Sequence, residues 1–104
     1  MDPALMNELL DKLEHGTCVR FHNNTEMREF ISLVKELTPQ RYFPRADTWR
    51  FGAGASSADG DAISCNPMNH MISHTPSAAY RRVIDYAEIQ NMYGRAVPDL
   101  GGLI

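Results

Sequence analysis

The apolar periodicity between residues 27 and 37 restricts the fold of this chain more than any other feature. Apolar side chains recur there at intervals of three and four residues: Met27, Phe30, Ile31, Val34 and Leu37. This spacing places them on one face of an α-helix. The helix must end before Pro39, because proline lacks the N–H that a helix interior needs. We expect Asn24 or Thr25 to cap its start, since their short polar side chains accept hydrogen bonds from free amide groups.

Two segments before this helix also carry clear patterns. An apolar stripe predicts a helix over Pro3–His15, with Asp2 as its N-cap and Gly16 as a left-handed residue at its end. Alternating apolar and polar residues over Thr17–His22 predict a half-buried strand. The chain is therefore predicted to begin with helix, strand and helix.

The second half of the chain carries shorter patterns. Thr48–Phe51 and Asp61–Asn66 are predicted as the strands of a hairpin, joined by the loop Gly52–Gly60. The segment Pro67–Pro76 is predicted to be irregular, and Gly94–Ile104 an extended or mobile tail.

The segment that follows residue 76 fits two structures. Its apolar residues are compatible with a helix that begins at Ser77, and also with a strand over Arg81–Tyr86 followed by a helical turn over Ala87–Met92. We favour the strand and the helical turn.

Length and composition indicate one small globular domain, residues 1–104. Hydrophobic residues make up 43% and charged residues 22% of the chain, as in ordinary globular proteins. Combined with the segments above, this predicts an α+β fold in which two helices pack on one face of a small, mainly antiparallel sheet of three or four strands. The net charge of −3 is not that of a general polyanion-binding protein.

The sequence carries no sign of membrane association or of a disulfide framework. No apolar run approaches the roughly 18 residues that cross a bilayer, and the first residues lack the pattern of a signal peptide. The two cysteines, Cys18 and Cys65, are typical of reduced thiols rather than of a disulfide-rich domain. We expect a cytoplasmic protein without a cofactor, either a monomer or a homodimer.

Five side chains are of types that bind zinc. Cys65, His70 and His74 have the spacing Cys-x4-His-x3-His, and Cys18 and His22 lie four residues apart. Neither spacing contains the Cys-x2-Cys pair of a typical zinc site, and four residues of strand separate two positions by roughly 13 Å. No signature of a cysteine nucleophile surrounds either thiol. We expect buried thiols and exposed histidines, with neither a metal site nor a catalytic cysteine.

The segment from residue 41 to residue 51 interleaves cationic and aromatic side chains: Arg41, Tyr42, Phe43, Arg45, Trp49, Arg50 and Phe51. Such residues dominate the hot spots of protein interfaces. The same combination binds single-stranded nucleic acid by stacking and phosphate contact, and the rings alone can complete a small core. All three interpretations remain open. The candidate partner-binding residues are Arg41, Tyr42, Phe43, Arg45, Trp49 and Arg50.

Three segments of the chain resemble small phage-encoded α/β proteins: Cys18–Phe30 with its Thr-Glu-x-x-x-Phe helix start, Trp49–Gly52 and Tyr80–Ile89. In those proteins a strand leads into such a helix, then into a tryptophan-bearing hairpin and a last strand. Many act on host defences, and anti-CRISPR proteins are prominent among them. The resemblance implies a non-enzymatic inhibitor in the cytoplasm of a bacterial host. It would bind a host protein, most of all a CRISPR effector subunit, and block DNA recognition or cleavage.

A nucleic-acid-binding regulator is the alternative to protein capture. It would use arginines distributed along the whole chain: Arg20, Arg41, Arg45, Arg50, Arg81 and Arg82. Its affinity would fall steeply as the salt concentration rises, because binding releases counterions from the phosphates.

Overall fold

The computed structural model describes residues 2–52 and 61–92, which form three α-helices and a four-stranded mixed sheet. Their order is α1 (Pro3–Lys12), β1 (Thr17–Arg20), α2 (Asn24–Leu37), β2 (Ala62–Cys65), β3 (Ile72–Thr75), β4 (Arg82–Asp85) and α3 (Tyr86–Met92). Short 3₁₀ helices cover Pro39–Arg41, Pro44–Thr48 and Ser77–Ala79. The predicted α+β class is confirmed. Most of the predicted loop, residues 53–60, and the predicted tail, residues 94–104, lie outside the described residues.

The start of α1 and the turn after it follow local hydrogen-bonding rules. The Asp2 carboxylate accepts a hydrogen bond from the Leu5 N–H at 2.9 Å, as predicted for an N-cap. Gly16 adopts a φ of +82°, the left-handed conformation that glycine tolerates best. The helix ends at Lys12 rather than at His15, because the N–H groups of residues 14 and 15 bond to carbonyls three residues back and form a turn.

The cap of α2 is Asn23, so the prediction of Asn24 or Thr25 was wrong. The Asn23 carboxamide accepts from the Glu26 N–H at 2.9 Å, and the Glu26 carboxylate accepts from the His22 N–H at 2.9 Å. This exchange resembles a capping box, whose signal is a glutamate three residues after the cap. Asn24 has a different role, since its side chain accepts from the Phe51 N–H at 3.1 Å.

The sheet has the strand order β3-β2-β1-β4. β1 pairs antiparallel with β2, where Val19 lies opposite Ile63, and parallel with β4, where Val19 lies opposite Ile84. β2 and β3 are antiparallel. Two of the three pairings are therefore antiparallel, which agrees with the predicted, mainly antiparallel sheet. β1 and β4 can run parallel because the chain between them, which includes α2, is long enough for a crossover connection.

The predicted hairpin partner Thr48–Phe51 is not a strand. Thr48 ends a 3₁₀ helix, and the strand that forms a hairpin with β2 is β3, which lies in the segment predicted to be irregular. The turn between β2 and β3 is built by two asparagines: the Asn66 side chain accepts from the Met68 N–H at 2.8 Å, and the Asn69 side chain accepts from the Met71 N–H at 3.0 Å.

The core lies between the helices and one face of the sheet. It contains apolar side chains of α1, α2 and α3 together with inward residues of the strands, among them Leu9, Val34, Val19, Ile63 and Ile89. Three of its rings, Phe21, Phe30 and Tyr86, have centroids 5.4 to 6.0 Å apart. The strand and helical turn that we favoured after residue 80 are confirmed, and they supply Tyr86 and Ile89 to this core.

Candidate functional site

The cationic and aromatic segment lies in the two 3₁₀ helices that follow α2. The structure divides its side chains into one that is directed into the protein, some that support the fold, and some that remain at the surface. This division determines which of them are available to a partner.

Arg41 lies inside the protein, with only 7% of its surface exposed. Its Nε donates to the His70 carbonyl at 3.0 Å, and one terminal nitrogen donates to the Asn7 side chain at 3.2 Å and to the Asp11 carboxylate at 2.9 Å. The other terminal nitrogen donates to the Glu14 carboxylate at 2.6 Å. We call these five residues the Arg41 network. It joins the first 3₁₀ helix to α1, to the turn after α1 and to the β2–β3 turn.

Glu14 is the centre of the Arg41 network. Its side chain is 9% exposed, and one of its oxygens, Oε2, lies 2.6 Å from Arg41 Nη2 and 2.7 Å from His70 Nδ1. A buried carboxylate needs such partners, since an unpaired charge is strongly destabilised away from water. His70 adopts a φ of +66°, which is uncommon for a residue other than glycine. The guanidinium of Arg41 is thus engaged within the protein.

Three rings form a stack beside β3. The Phe43 and Trp49 centroids lie 5.9 Å apart at 23°, and those of Trp49 and His74 lie 5.2 Å apart at 25°. Trp49 is half-buried, while Arg45 and Arg50 are exposed. We call Phe43, Arg45, Trp49 and Arg50 the Trp49 surface. Within residues 2–52 and 61–92, neither guanidinium of this surface forms an ion pair.

A groove of about 180 Å³ borders the Trp49 surface. It lies between the ring stack and the β2–β3 turn, and its lining residues are Phe43, Trp49, Asn66, Asn69, Ile72 and Ser73. Met68, on the same turn, is 87% exposed, far more than the other large apolar side chains at the described surface. Apolar and amide groups therefore border the Phe43 and Trp49 rings of this surface.

The segment that carries the Trp49 surface is held by α2. Arg28 donates to the carbonyls of Ala46 and Asp47 at 2.7 and 2.9 Å, which satisfies the end of the second 3₁₀ helix. Tyr42 belongs to this support: Lys35 Nζ lies 5.2 Å from its ring centroid. Burial, followed by the neighbouring Asp47 carboxylate, raises the pKa of the Tyr42 hydroxyl, and the proximity of that hydroxyl, more than of the nearby cations, lowers the pKa of Asp47.

The six arginines of the nucleic-acid alternative occupy separate parts of the molecule. Arg20 is ion-paired with Asp85 at 2.9 Å, and Arg41 belongs to the buried network. Arg45 lies in the 3₁₀ helix that contacts β3, whereas Arg82 lies on β4, at the opposite edge of the sheet. Three strand spacings, roughly 14 Å, separate those two edges. The arginines thus form no single continuous surface in the described part of the chain.

The two cysteines are free thiols in buried positions. Burial raises the pKa of Cys18 to about 11 and that of Cys65 to about 12, so both thiols are protonated at neutral pH. His70 joins the Arg41 network and His74 joins the ring stack, so the Cys-x4-His-x3-His spacing does not bring its members together. Among the residues described, no three His, Cys, Asp or Glu side chains are placed to hold a metal ion.

The sequence did not predict which residues contact Arg41 in the Arg41 network or Trp49 in the ring stack. Asn7, Asp11 and Glu14 are 27 to 34 residues away from Arg41, and His70 is 56 residues away from Glu14. No local pattern marks such pairs. The sequence predicts an exposed His74, and nothing in it indicates that this ring is half-buried and stacks on Trp49.

Comparisons with known proteins leave these sites to be interpreted from their geometry. No protein-family model matches this chain, and neither the curated proteins nor the solved structures gave a significant match. None of the helices within the described residues is long and apolar enough to cross a membrane.

Proposed function

We propose that this protein works by binding another protein through the Trp49 surface. The observation that carries the proposal is the pair of exposed guanidinium groups, Arg45 and Arg50, on a segment whose Trp49 ring is held between two other rings. Tryptophan and arginine are the residues most enriched in binding hot spots. A ring that is already ordered loses little conformational freedom when a partner binds.

The charge of the Trp49 surface supports a partner with an acidic face. The whole chain has a net charge of −3, yet Arg45 and Arg50 are both cationic and unpaired among the described residues, while the exposed Asp47 carboxylate of the same segment is paired with Lys35 at 3.7 Å. Opposite charge on a partner would accelerate association and select against cationic proteins. The bordering groove and the exposed Met68 side chain offer an apolar contact beside these cations.

The partner we propose is a host-defence protein, with a CRISPR effector subunit as the first target, and binding would block DNA recognition or cleavage. This part rests on the resemblance of two segments, Cys18–Phe30 and Tyr80–Ile89, to small phage-encoded proteins. The third segment, Trp49–Gly52, does not form the hairpin that the resemblance implied. A mode of action by binding alone also agrees with the raised pKa values of Cys18 and Cys65, which do not favour a thiolate nucleophile.

The test is affinity capture with a matched set of variants. The tagged protein, the double variant Arg45→Ala/Arg50→Ala and the control Arg81→Ala are each incubated with a bacterial lysate that contains CRISPR effector complexes. We expect the unmodified protein and the control to retain one effector subunit at near-equal stoichiometry, and the double variant to lose it. Equal retention by all three would reject the Trp49 surface, and the absence of any effector subunit would reject the CRISPR target.

A gel-shift series distinguishes protein capture from nucleic-acid binding. A labelled single-stranded oligonucleotide is titrated with the protein at low and at physiological salt. We expect no shift. If a shift appears, disappears steeply as the salt concentration rises and requires Arg45 and Arg50, the proposed protein partner is rejected in favour of nucleic acid.

A further inference from the structure

β4 forms one edge of the sheet, because among the described strands it pairs only with β1. The Arg82 N–H donates to the Gly16 carbonyl at 3.2 Å, so the backbone groups of Arg82 point toward β1. These groups alternate in direction along a strand, and those of Val83 and Asp85 therefore point away from β1. The outer edge of β4 thus presents donors and acceptors that the β1–β4 ladder does not use.

The two ends of β4 carry opposite charges. Arg81, directly before the strand, is exposed and forms no ion pair within the described residues. Asp85, the last residue of the strand, contacts Arg20 at 2.9 Å and His22 at 3.7 Å through one oxygen, Oδ1. Its other oxygen forms no ion pair with a described residue. A strand with opposite charges at its ends is complementary to a second copy that runs in the opposite direction.

The register of such a pair follows from the charges. A twofold axis through Arg82 or through Asp85 would set that residue opposite its own copy, and like charges directly opposite are destabilising. An axis through Ile84 would set Val83 opposite Asp85. An axis through Val83 sets Val83 opposite Val83, where the outward backbone groups exchange two hydrogen bonds, and sets Arg81 opposite Asp85 on both sides. The register centred on Val83 therefore pairs both charges and both outward backbones.

We propose that two copies of this chain associate through β4, antiparallel and centred on Val83, so that their four-stranded sheets form one continuous sheet. The interface uses the same surface on each copy, as a twofold axis requires. A segment of another protein would have to supply a carboxylate and a cation in matching order. The second copy supplies both by symmetry, and this is why we choose it as the occupant of the edge.

The helices leave the edge of β4 accessible to a second strand. A cleft of about 620 Å³ lies on the helix side of β4, bounded by the end of α1 and by α3. Val83 belongs to its lining and is 37% exposed. In the proposed register Arg82 of each copy lies opposite Ile84 of the other, where its apolar stem can cover the half-buried Ile84 side chain.

The proposed dimer interface is separate from the Trp49 surface. β4 and β3 are at opposite edges of the sheet, and the segment that carries the Trp49 surface contacts β3. Each copy in the dimer therefore keeps its Trp49 surface available. For the same reason, the Arg81→Ala control of the capture experiment keeps the Trp49 surface whether it is a monomer or a dimer.

Sedimentation equilibrium of the free protein is the first test. We expect a monomer–dimer equilibrium with a dissociation constant between micromolar and millimolar, because one pair of short strands buries less surface than a standard interface. A monomer at every concentration up to millimolar would overturn the second copy as the occupant and leave this edge to another protein.

A charge reversal at Arg81 tests the register. Arg81→Glu sets a carboxylate opposite Asp85 on both sides of the twofold axis, and we expect at least about tenfold weaker association. Arg81→Lys keeps the charge and should change association less than about threefold. Thermal melts confirm that both variants are folded. A dimer of unchanged strength in Arg81→Glu would overturn the pairing of Arg81 with Asp85.

Crosslinking at the twofold axis tests the same register without a change of charge. In a hydrogen-bonded antiparallel pair the Cα atoms lie about 5.5 Å apart, a distance that a disulfide spans. We expect mild oxidation to link Val83→Cys into a covalent dimer, while the control Glu36→Cys, at an exposed position of α2, remains largely unlinked. Both variants retain the buried Cys18 and Cys65, so these thiols cannot cause a difference. Equal linking of the two variants, or none in Val83→Cys, would overturn the proposal.

Discussion

Arg41 and Arg45 lie four residues apart in one cationic and aromatic segment, yet they occupy opposite environments. The Arg41 guanidinium is buried among two carboxylates, an amide and a carbonyl, whereas Arg45 is exposed and, like Arg50, has no ionic partner among the described residues. The difference shows that one stretch of sequence can supply both a buried, paired arginine and an exposed, unpaired one. A charge that the protein buries must be paired, and only a charge left in water is available to a partner.

The largest predicted effect is the loss of stability in Arg41→Met. The substitution keeps an apolar stem but leaves the Glu14 carboxylate, 9% exposed, with His70 as its remaining ionic partner. We expect the free energy of unfolding to fall by about 3 to 5 kcal/mol, as for other broken buried ion pairs. Urea denaturation followed by the fluorescence of Trp49, the single tryptophan, measures it.

The matched control for Arg41→Met is Arg45→Met. Because Arg45 is exposed and unpaired, we expect a change of less than about 0.5 kcal/mol. Similar losses in the two variants would mean that the Arg41 network contributes no more to stability than the Trp49 surface does.

A second prediction concerns alkaline pH and the thiol next to the Arg41 network. Burial raises the pKa of Cys65 from an ordinary value of 9.0 to about 12, so the folded protein keeps this proton after the unfolded chain has lost it. Stability from this group is complete below pH 9 and is lost as the pH rises toward 12. We expect a loss of about 2 kcal/mol between pH 8 and pH 10.5 from Cys65 alone.

Urea melts at several pH values test this alkaline dependence. In Cys65→Ala the loss above pH 9 should shrink but not vanish, because burial also raises the pKa of Cys18 to about 11. A pH dependence identical in the variant and the unmodified protein would contradict the assignment to Cys65.

Arg28→Met is predicted to lower stability by a smaller amount. Arg28 lies on α2 and supports the segment that carries the Trp49 surface. It removes the donors at 2.7 and 2.9 Å that hold the carbonyls of Ala46 and Asp47. We expect a loss of about 1 to 2 kcal/mol and a change in the emission of Trp49, whose segment these bonds position. Lys35→Met is the control, since its exposed ion pair with Asp47 and its exposed contact with the Tyr42 ring each contribute less than about 1 kcal/mol. Unaltered Trp49 emission in the Arg28 variant would show that these bonds do not order the surface.

The smallest predicted change in stability belongs to Arg45→Ala and Arg50→Ala. Each should alter the unfolding free energy by less than about 0.5 kcal/mol, because neither side chain is buried or paired within the described residues. Binding of the captured partner should weaken by about 2 kcal/mol in at least one of them, which isothermal calorimetry measures. A variant that loses stability and affinity in parallel would contradict the view that the Arg41 network serves stability and the Trp49 surface serves binding.

The helices and three of the strands could be predicted because their signals are local. The apolar stripe of α2, the alternation of β1 and the patterns of β2, β4 and α3 each lie within a dozen or so residues. The strand predicted over Thr48–Phe51 was wrong for a different reason. Its aromatic composition is typical of strands, but the Trp49 N–H donates to the Ala46 carbonyl and the Phe51 N–H donates to the Asn24 side chain, so neither is left for a strand partner.

The sequence by itself determined the α+β class, the buried faces of α1 and α2, and the cationic and aromatic residue types of the segment from residue 41 to residue 51. Those properties depend on periodicity and side-chain chemistry, which are readable within one segment. Only the tertiary structure decided that Arg41 is internal while Arg45 and Arg50 are exposed. The burial of an arginine depends on whether carboxylates reach it, and Asp11 and Glu14 reach Arg41 from about 30 residues away because the fold packs α1 and the turn after it against the first 3₁₀ helix.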